Sequence, residues 1–195
     1  KGYWDEKLLE NGMTVSETPI QNIANLDNVT SVDSKLSTGM ITNFGTQSRG
    51  TYILSYDIEN DLPRQVSKNL VQGQLPKDGK KEVVLGIELA DYLDATLGDT
   101  LVFLGSGYQG ATAAGLYVIS GLLDFHSPEL NRSTTYMSLS SLQELLGAEG
   151  LITSLILELD NPSKLNETAN TIKGIVGSDY EVMTWEELAP DLKQL

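Results

Sequence analysis

The chain contains no cysteine and a single histidine, His126, and these two scarcities remove most catalytic chemistry. Without cysteine there is no disulfide, no thiol nucleophile and no thiolate metal ligand. One imidazole cannot supply the histidine pair of a zinc site. No G-x-S-x-G elbow is present, and Asp124 is the nearest acid to His126. Positive charge is scarce as well: 13 Lys and Arg stand against 27 Asp and Glu, a net charge of −14. Such a chain repels polyanions, so neither nucleic acid nor an anionic membrane surface is an expected partner. Long apolar runs are missing too. The longest, at 101–104 and 155–157, fall far short of the ~20 residues that span a bilayer.

What remains is 195 residues, 40% hydrophobic and 21% charged, enough for one domain or two small subdomains. A chain that begins at Lys1 without methionine is expected to be a segment of a longer protein, with any targeting or membrane segment outside it.

Patterning predicts a mixed α+β fold. Thr18, Pro19 and Gln21 open a helix expected to end near Asp27 and Asn28, and a strand follows over 29–36. Residues 51–59 alternate cleanly, with Tyr52, Leu54, Tyr56 and Ile58 on the expected core face and Pro63 closing the strand. Residues 64–81 read as loop. A helix over 87–97, with Leu89, Leu93 and Leu97 inward, is expected to stop at Gly98. Strands are expected at 83–85, 101–104, 116–123 and 134–137. Ser138 then caps a helix carrying Leu139, Leu142, Leu145 and Leu146 and ending at Gly147. A strand over 152–159, a helix from Asn161 with stripe Leu165, Ala169, Ile172 and Val176, and a strand over 180–183 read as a βαβ unit. Thr184 and Glu187 form a capping box for a last helix, with Pro190 one turn in.

Three motifs imitate function. Gly105, Gly107 and Gly110 spell G-x-G-x-x-G after a strand, yet a dinucleotide site needs a helix directly afterwards to hold the pyrophosphate. Only 111–114 separate Gly110 from Gly115 and the next strand, which fits a hairpin loop. Asp57, Glu59 and Asp61 suggest calcium, but the sixth and twelfth loop positions hold Leu62 and Lys68 instead of glycine and glutamate. Glu187 is explained by the cap at Thr184, and Trp185 by packing at the helix entry. No catalytic, cofactor-binding or metal residue emerges, so the chain reads as non-enzymatic and without cofactor.

The order of several short motifs resembles the extracytoplasmic domain of MacB/LolC/FtsX-type ABC transporter permeases. Val29 to Val32 is similar to a G-V-x-x-V strand in which Asn28 stands for glycine, and Gly73 to Pro76 to a G-x-x-P loop. Glu82–Gly86 with Leu89, Ala90, Leu93 and Leu97-Gly98-Asp99 is the most specific piece. Tyr117 to Gly121, Leu142 to Gly147, and Thr184-Trp185 with Pro190 resemble the remaining signatures.

The resemblance implies a periplasmic domain held between two membrane helices on the outer face of the inner (cytoplasmic) membrane. It implies a porter-like lobe from residues 1–62 plus 150–195 and a β-rich, sabre-like lobe from 63–149. The implied function is mechanotransmission, in which ATP hydrolysis by an ATPase subunit or domain moves cargo such as lipoprotein, peptide or lipid. A permease dimer partner, and a lipoprotein or another periplasmic protein, are the implied partners. The contact loop would be Ser106, Gly107, Tyr108, Gln109 and Gly110, which is shorter than the hook of lipoprotein-releasing permeases and lacks its proline. The alternative is a free-standing solute- or peptide-binding module.

Overall fold

The computed structural model describes residues 9–14, 19–56 and 63–188. Strands β1 (Met13–Thr14), β2 (Val29–Lys35), β3 (Ser37–Phe44) and β4 (Gln47–Tyr56) and helix α1 (Ile20–Ala24) form the first part. Helix α2 (Pro63–Lys68), strands β5 (Leu70–Gly73) and β6 (Glu82–Gly86), helix α3 (Ile87–Leu93) and strands β7 (Thr100–Ser106) and β8 (Thr112–Leu123) follow. Then come helix α4 (Pro128–Ser133), strand β9 (Thr134–Ser138), helix α5 (Leu139–Leu146), strands β10 (Leu151–Ile152) and β11 (Ser154–Leu159), and helices α6 (Leu165–Val176) and α7 (Trp185–Leu188).

The main sheet has seven strands in the order β5-β8-β6-β9-β4-β3-β7, and β7 also pairs with β8. That extra pairing closes the sheet into a ring. The first half of β8 runs antiparallel to β7, and its second half runs parallel to β6. Strand β5 continues the line of β7 along the end of β8. Beside the ring, β2 pairs with β11 and β1 with β10, both antiparallel.

The ring interior holds the core. Met40, Ile53, Leu85, Leu101, Phe103, Tyr117, Ile119 and Met137 are buried there, and Phe103 meets Tyr117 edge-on with ring centroids 5.6 Å apart. Strands β6 and β9 are antiparallel neighbours, so the helices that follow them leave from opposite ends of the ring. Leu89 and Leu93 of α3, and Leu142 and Leu146 of α5, join the same buried cluster and close those ends.

The structure corrects four sequence expectations. On β4 the buried side is Thr51, Ile53 and Ser55, while Tyr52 and Leu54 are half-buried; among the described members of the expected set Tyr56 alone is buried, its hydroxyl donating to the Pro76 carbonyl. The polar side can face inward because its hydroxyls are satisfied. Thr51 Oγ1 lies 2.6 Å from Thr42 Oγ1, and Ser55 Oγ accepts from Leu36 N at 2.8 Å.

The helix expected over 87–97 ends at Leu93, where Asp94 takes a left-handed conformation with φ 57° and leaves Leu97 exposed. The stretch 64–81 contains α2 and β5 rather than loop alone. Residues 180–183 form no strand, so the βαβ unit lacks its last member; α6 ends at Gly177, with φ 66° and ψ −152°, and the chain then lies across a groove instead of along β11.

Local signals hold elsewhere. Ser138 caps α5, accepting from Ser141 N, and Gly147 ends it at φ 62°. Thr184 N donates to Glu187 Oε2 at 2.6 Å, and Glu187 N donates to Thr184 Oγ1 at 3.3 Å, so the capping box is formed. Thr18, Asp57, Ile58, Glu59, Asp61 and Pro190 lie outside the described residues.

Two stability outcomes follow from the core. Thr135 is fully buried between Ile53 and Leu85, and its hydroxyl has no hydrogen-bond partner among the described residues. Thr135→Val keeps the shape and removes that desolvated group, so it should stabilise the fold by about 1 kcal/mol in urea unfolding. A neutral or destabilising result would show the hydroxyl to be satisfied.

The second outcome concerns alkaline pH. Burial, with the Glu144 charge adding to it, pushes the Tyr117 phenol up from its ordinary value of 10.0 to about 12, and its hydroxyl donates to the Ser141 carbonyl at 3.2 Å. Burial also raises Tyr56 and Tyr136. The folded pKa exceeds the unfolded one, so this stabilisation is complete below pH 10 and is lost as pH climbs from about 10 to about 12. Melting temperature should fall across that window, and less steeply in Tyr117→Phe.

Candidate functional site

Two places on the fold could meet a partner: the β7–β8 hairpin tip and a groove beside β11. Strands β7 and β8 pair from Thr100↔Val118 to Ser106↔Thr112, so the G-x-G-x-x-G segment is the tip of a hairpin with no phosphate-holding helix after it. The five expected contact residues divide there. Gly107 is buried, its N–H donating to Ala111 O at 2.6 Å, and a Cβ on it would stand 2.8 Å from the carbonyl oxygen of Leu146. Tyr108 packs against the main core. Ser106, Gln109 and Gly110 face solvent, with Gln109 at φ 53° and Gly110 at φ 74°. The tip is thus seated on the C-terminal end of α5, and its solvent-facing part is small and uncharged.

The groove encloses about 480 Å³. Leu155 and Leu157 of β11, Ala169 and Ile172 of α6, and Val182 and Trp185 form much of its wall. Sequence reasoning identified the β11 and α6 residues as core of a βαβ unit. Their stripe is the only sequence signal of the groove, because nothing local announces that 180–183 stays unpaired. Asn28 fixes one end: its Nδ2 donates to Thr168 Oγ1 at 3.0 Å and to Asn161 O at 3.2 Å, and its Oδ1 accepts from Asn161 N at 2.9 Å. A glycine at this position could make none of these side-chain bonds.

Asp124, His126, Arg49 and Arg132, outside these places, are held in contacts within the fold. His126 is an exposed loop residue at φ 56°, with its N–H bonded to Asp124 Oδ1 at 2.9 Å. The Asn131 amide, then the His126 backbone N–H, hold the Asp124 carboxyl below its usual range. A shallow hollow beside α4 contains Arg49 and Arg132, but Arg132 Nε is 2.6 Å from Glu88 Oε2 and Arg49 lies over the Tyr92 ring at 4.7 Å. Among the described residues no group of three or more His, Asp or Glu is placed to hold a metal, and no helix is long and apolar enough to cross a membrane.

No protein-family model matches the chain, and no curated protein matches it. Solved structures do. The extracellular domain of the noncanonic ABC-type transporter YknZ from Gram-positive bacteria superposes with a TM-score of 0.63 at 15% identity, covering 92% of this chain and 95% of that one. The periplasmic region of MacB from Actinobacillus actinomycetemcomitans superposes with a TM-score of 0.62 at 16% identity, covering 94% of this chain and 84% of that one. The chain therefore has the mixed α+β fold of these extracellular and periplasmic transporter domains.

Proposed function

We propose that this chain is the non-catalytic extracytoplasmic domain of an ABC transporter permease, passing movement driven by cytoplasmic ATP hydrolysis to cargo outside the membrane. The observation that carries this reading is the fold, a closed strand ring joined to a small β2–β11 sheet packed with α6, which covers 95% of one neighbour and 84% of the other. In this reading the small sheet with α6 is the porter-like lobe and the ring is the sabre-like lobe. The change of sheet at Leu36 supports a lobe division near that residue. Asn11 and Met13 line the same groove as Trp185 and Leu188, so both ends of the described chain lie along one side of the small lobe. Flanking membrane helices, an ATPase partner and a second permease would all attach from that side. The exposed tip residues Ser106, Gln109 and Gly110 would touch cargo or an outer partner.

The groove favours the alternative of a binding module, since its walls are mostly apolar with a few polar residues such as Asn11, Thr168 and Glu181. The test is the complete gene product. Apolar spans of about 20 residues on both sides of this chain, and ATPase co-purification with the full-length protein, are expected. Absence of either span would overturn the permease reading.

A further inference from the structure

Strand β11 pairs with β2 along one edge, and among the described residues no strand pairs with its other edge. The groove lies against that open edge. Thr153 through Leu157 line it without a gap, so both faces of the pleat border it and the backbone between them is open to it. Tyr180 through Trp185 line it without a gap as well, and residues 180–183 belong to no sheet. Open edges are ordinarily blunted by charge or proline. Residues 154–157 read Ser-Leu-Ile-Leu and carry neither.

We propose that the groove takes an extended segment of another polypeptide, added as a strand along β11. The open backbone selects that occupant over other apolar ones. A lipid tail or apolar small molecule would cover Leu155 and Leu157 but bury the N–H and C=O groups of the edge unpaired, which is costly. A helix spends its backbone groups within itself. An extended chain alone offers donors and acceptors at strand spacing while its alternate side chains enter the apolar wall.

The space fits a strand of a few residues. Spacings of about 3.3 Å along a strand, 4.8 Å between strands and 10 Å between layers give roughly 160 Å³ per residue, so 480 Å³ holds about three. Glu181 in the wall and the chain's net charge of −14 select a neutral or basic segment over an acidic one. The site does not depend on flanking membrane spans, so it stands or fails separately from the permease reading.

Titration calorimetry of the 195-residue chain with a short synthetic peptide, alternating valine and threonine with lysine at both ends, tests this. Saturable one-to-one binding is expected. In hydrogen exchange the bound peptide should slow the amides of 154–159 several-fold and leave those inside the ring unchanged. The same peptide N-methylated at alternate residues keeps its side chains but loses donors, and it should bind at least about tenfold more weakly. Laurate, the lipid probe, should not displace the peptide. Absence of peptide binding, as when residues 180–183 close on β11 themselves, would overturn the proposal. So would equal binding of the N-methylated peptide, displacement by laurate, or protection that falls outside 154–159.

Discussion

Gly86→Ala should lower the stability of the fold by about 3 kcal/mol, which for a domain of this size is a fall in melting temperature of about 6–12 °C. Gly86 ends β6 and caps α3 with φ −62°, a conformation any residue adopts, so the cause is contact and not backbone strain. A Cβ there would stand 2.3 Å from the carbonyl oxygen of Asn131 and 2.6 Å from its Cα. Asn131 cannot yield cheaply. It is buried, its Oδ1 accepts from Phe125 N at 2.9 Å, and its Nδ2 donates to Asp124 Oδ1 at 2.9 Å. One methyl group therefore forces α4 away from the β6–α3 junction. Gly174→Ala is the control: Gly174 lies exposed inside α6 with nothing within 4 Å of a new Cβ, and it should gain up to about 1 kcal/mol. Equal melting temperatures for Gly86→Ala and the parent chain would disprove the close approach.

Gly86 also shows where sequence reading stopped. It stands in the stretch that most resembles the permease signatures, but its reason is a backbone 45 residues away, beyond any local pattern. Gly73 and Gly121 belong to two separately recognised motifs and are register partners between β5 and β8; a Cβ on Gly73 would meet the Ser120 carbonyl oxygen at 2.2 Å. Signals completed within a few residues were legible: the Ser138 cap, the Gly147 stop, the Thr184 box and the β7–β8 hairpin.

Features decided by distant partners were not. The inward face of β4 depends on Thr42 and Leu36, which supply hydrogen bonds that alternation cannot foresee. The candidate loop was located as a hairpin tip, but the seating of Gly107 on Leu146 was invisible, since nothing in the loop names its neighbour. The groove was hidden for the same reason: an apolar stripe reads alike whether a third strand covers it or not.

Lys35→Met should cost about 3 kcal/mol, because it removes a cation from a buried carboxylate. Asp33 is fully buried on β2, and Lys35, two residues on along the same face, places Nζ 2.5 Å from Asp33 Oδ2 with only 15% of its side chain exposed. The pair stands where the two sheets join. Lys35 is the last residue of β2, its carbonyl accepts from Thr153 N at 2.7 Å, and Thr153 Oγ1 accepts from Ser37 N, the first residue of β3, at 3.1 Å. Combining Lys35→Met with Asp33→Asn should recover much of the loss, since the buried charge disappears with its partner. Hydrogen exchange separates a junction from a purely local pair. In Lys35→Met, amides of 29–35 and 154–159 should exchange faster while those inside the ring keep their protection. Uniform loss of protection over both sheets would instead show that the small sheet and the ring unfold as one unit, and a rigid link of that kind could not let one move against the other.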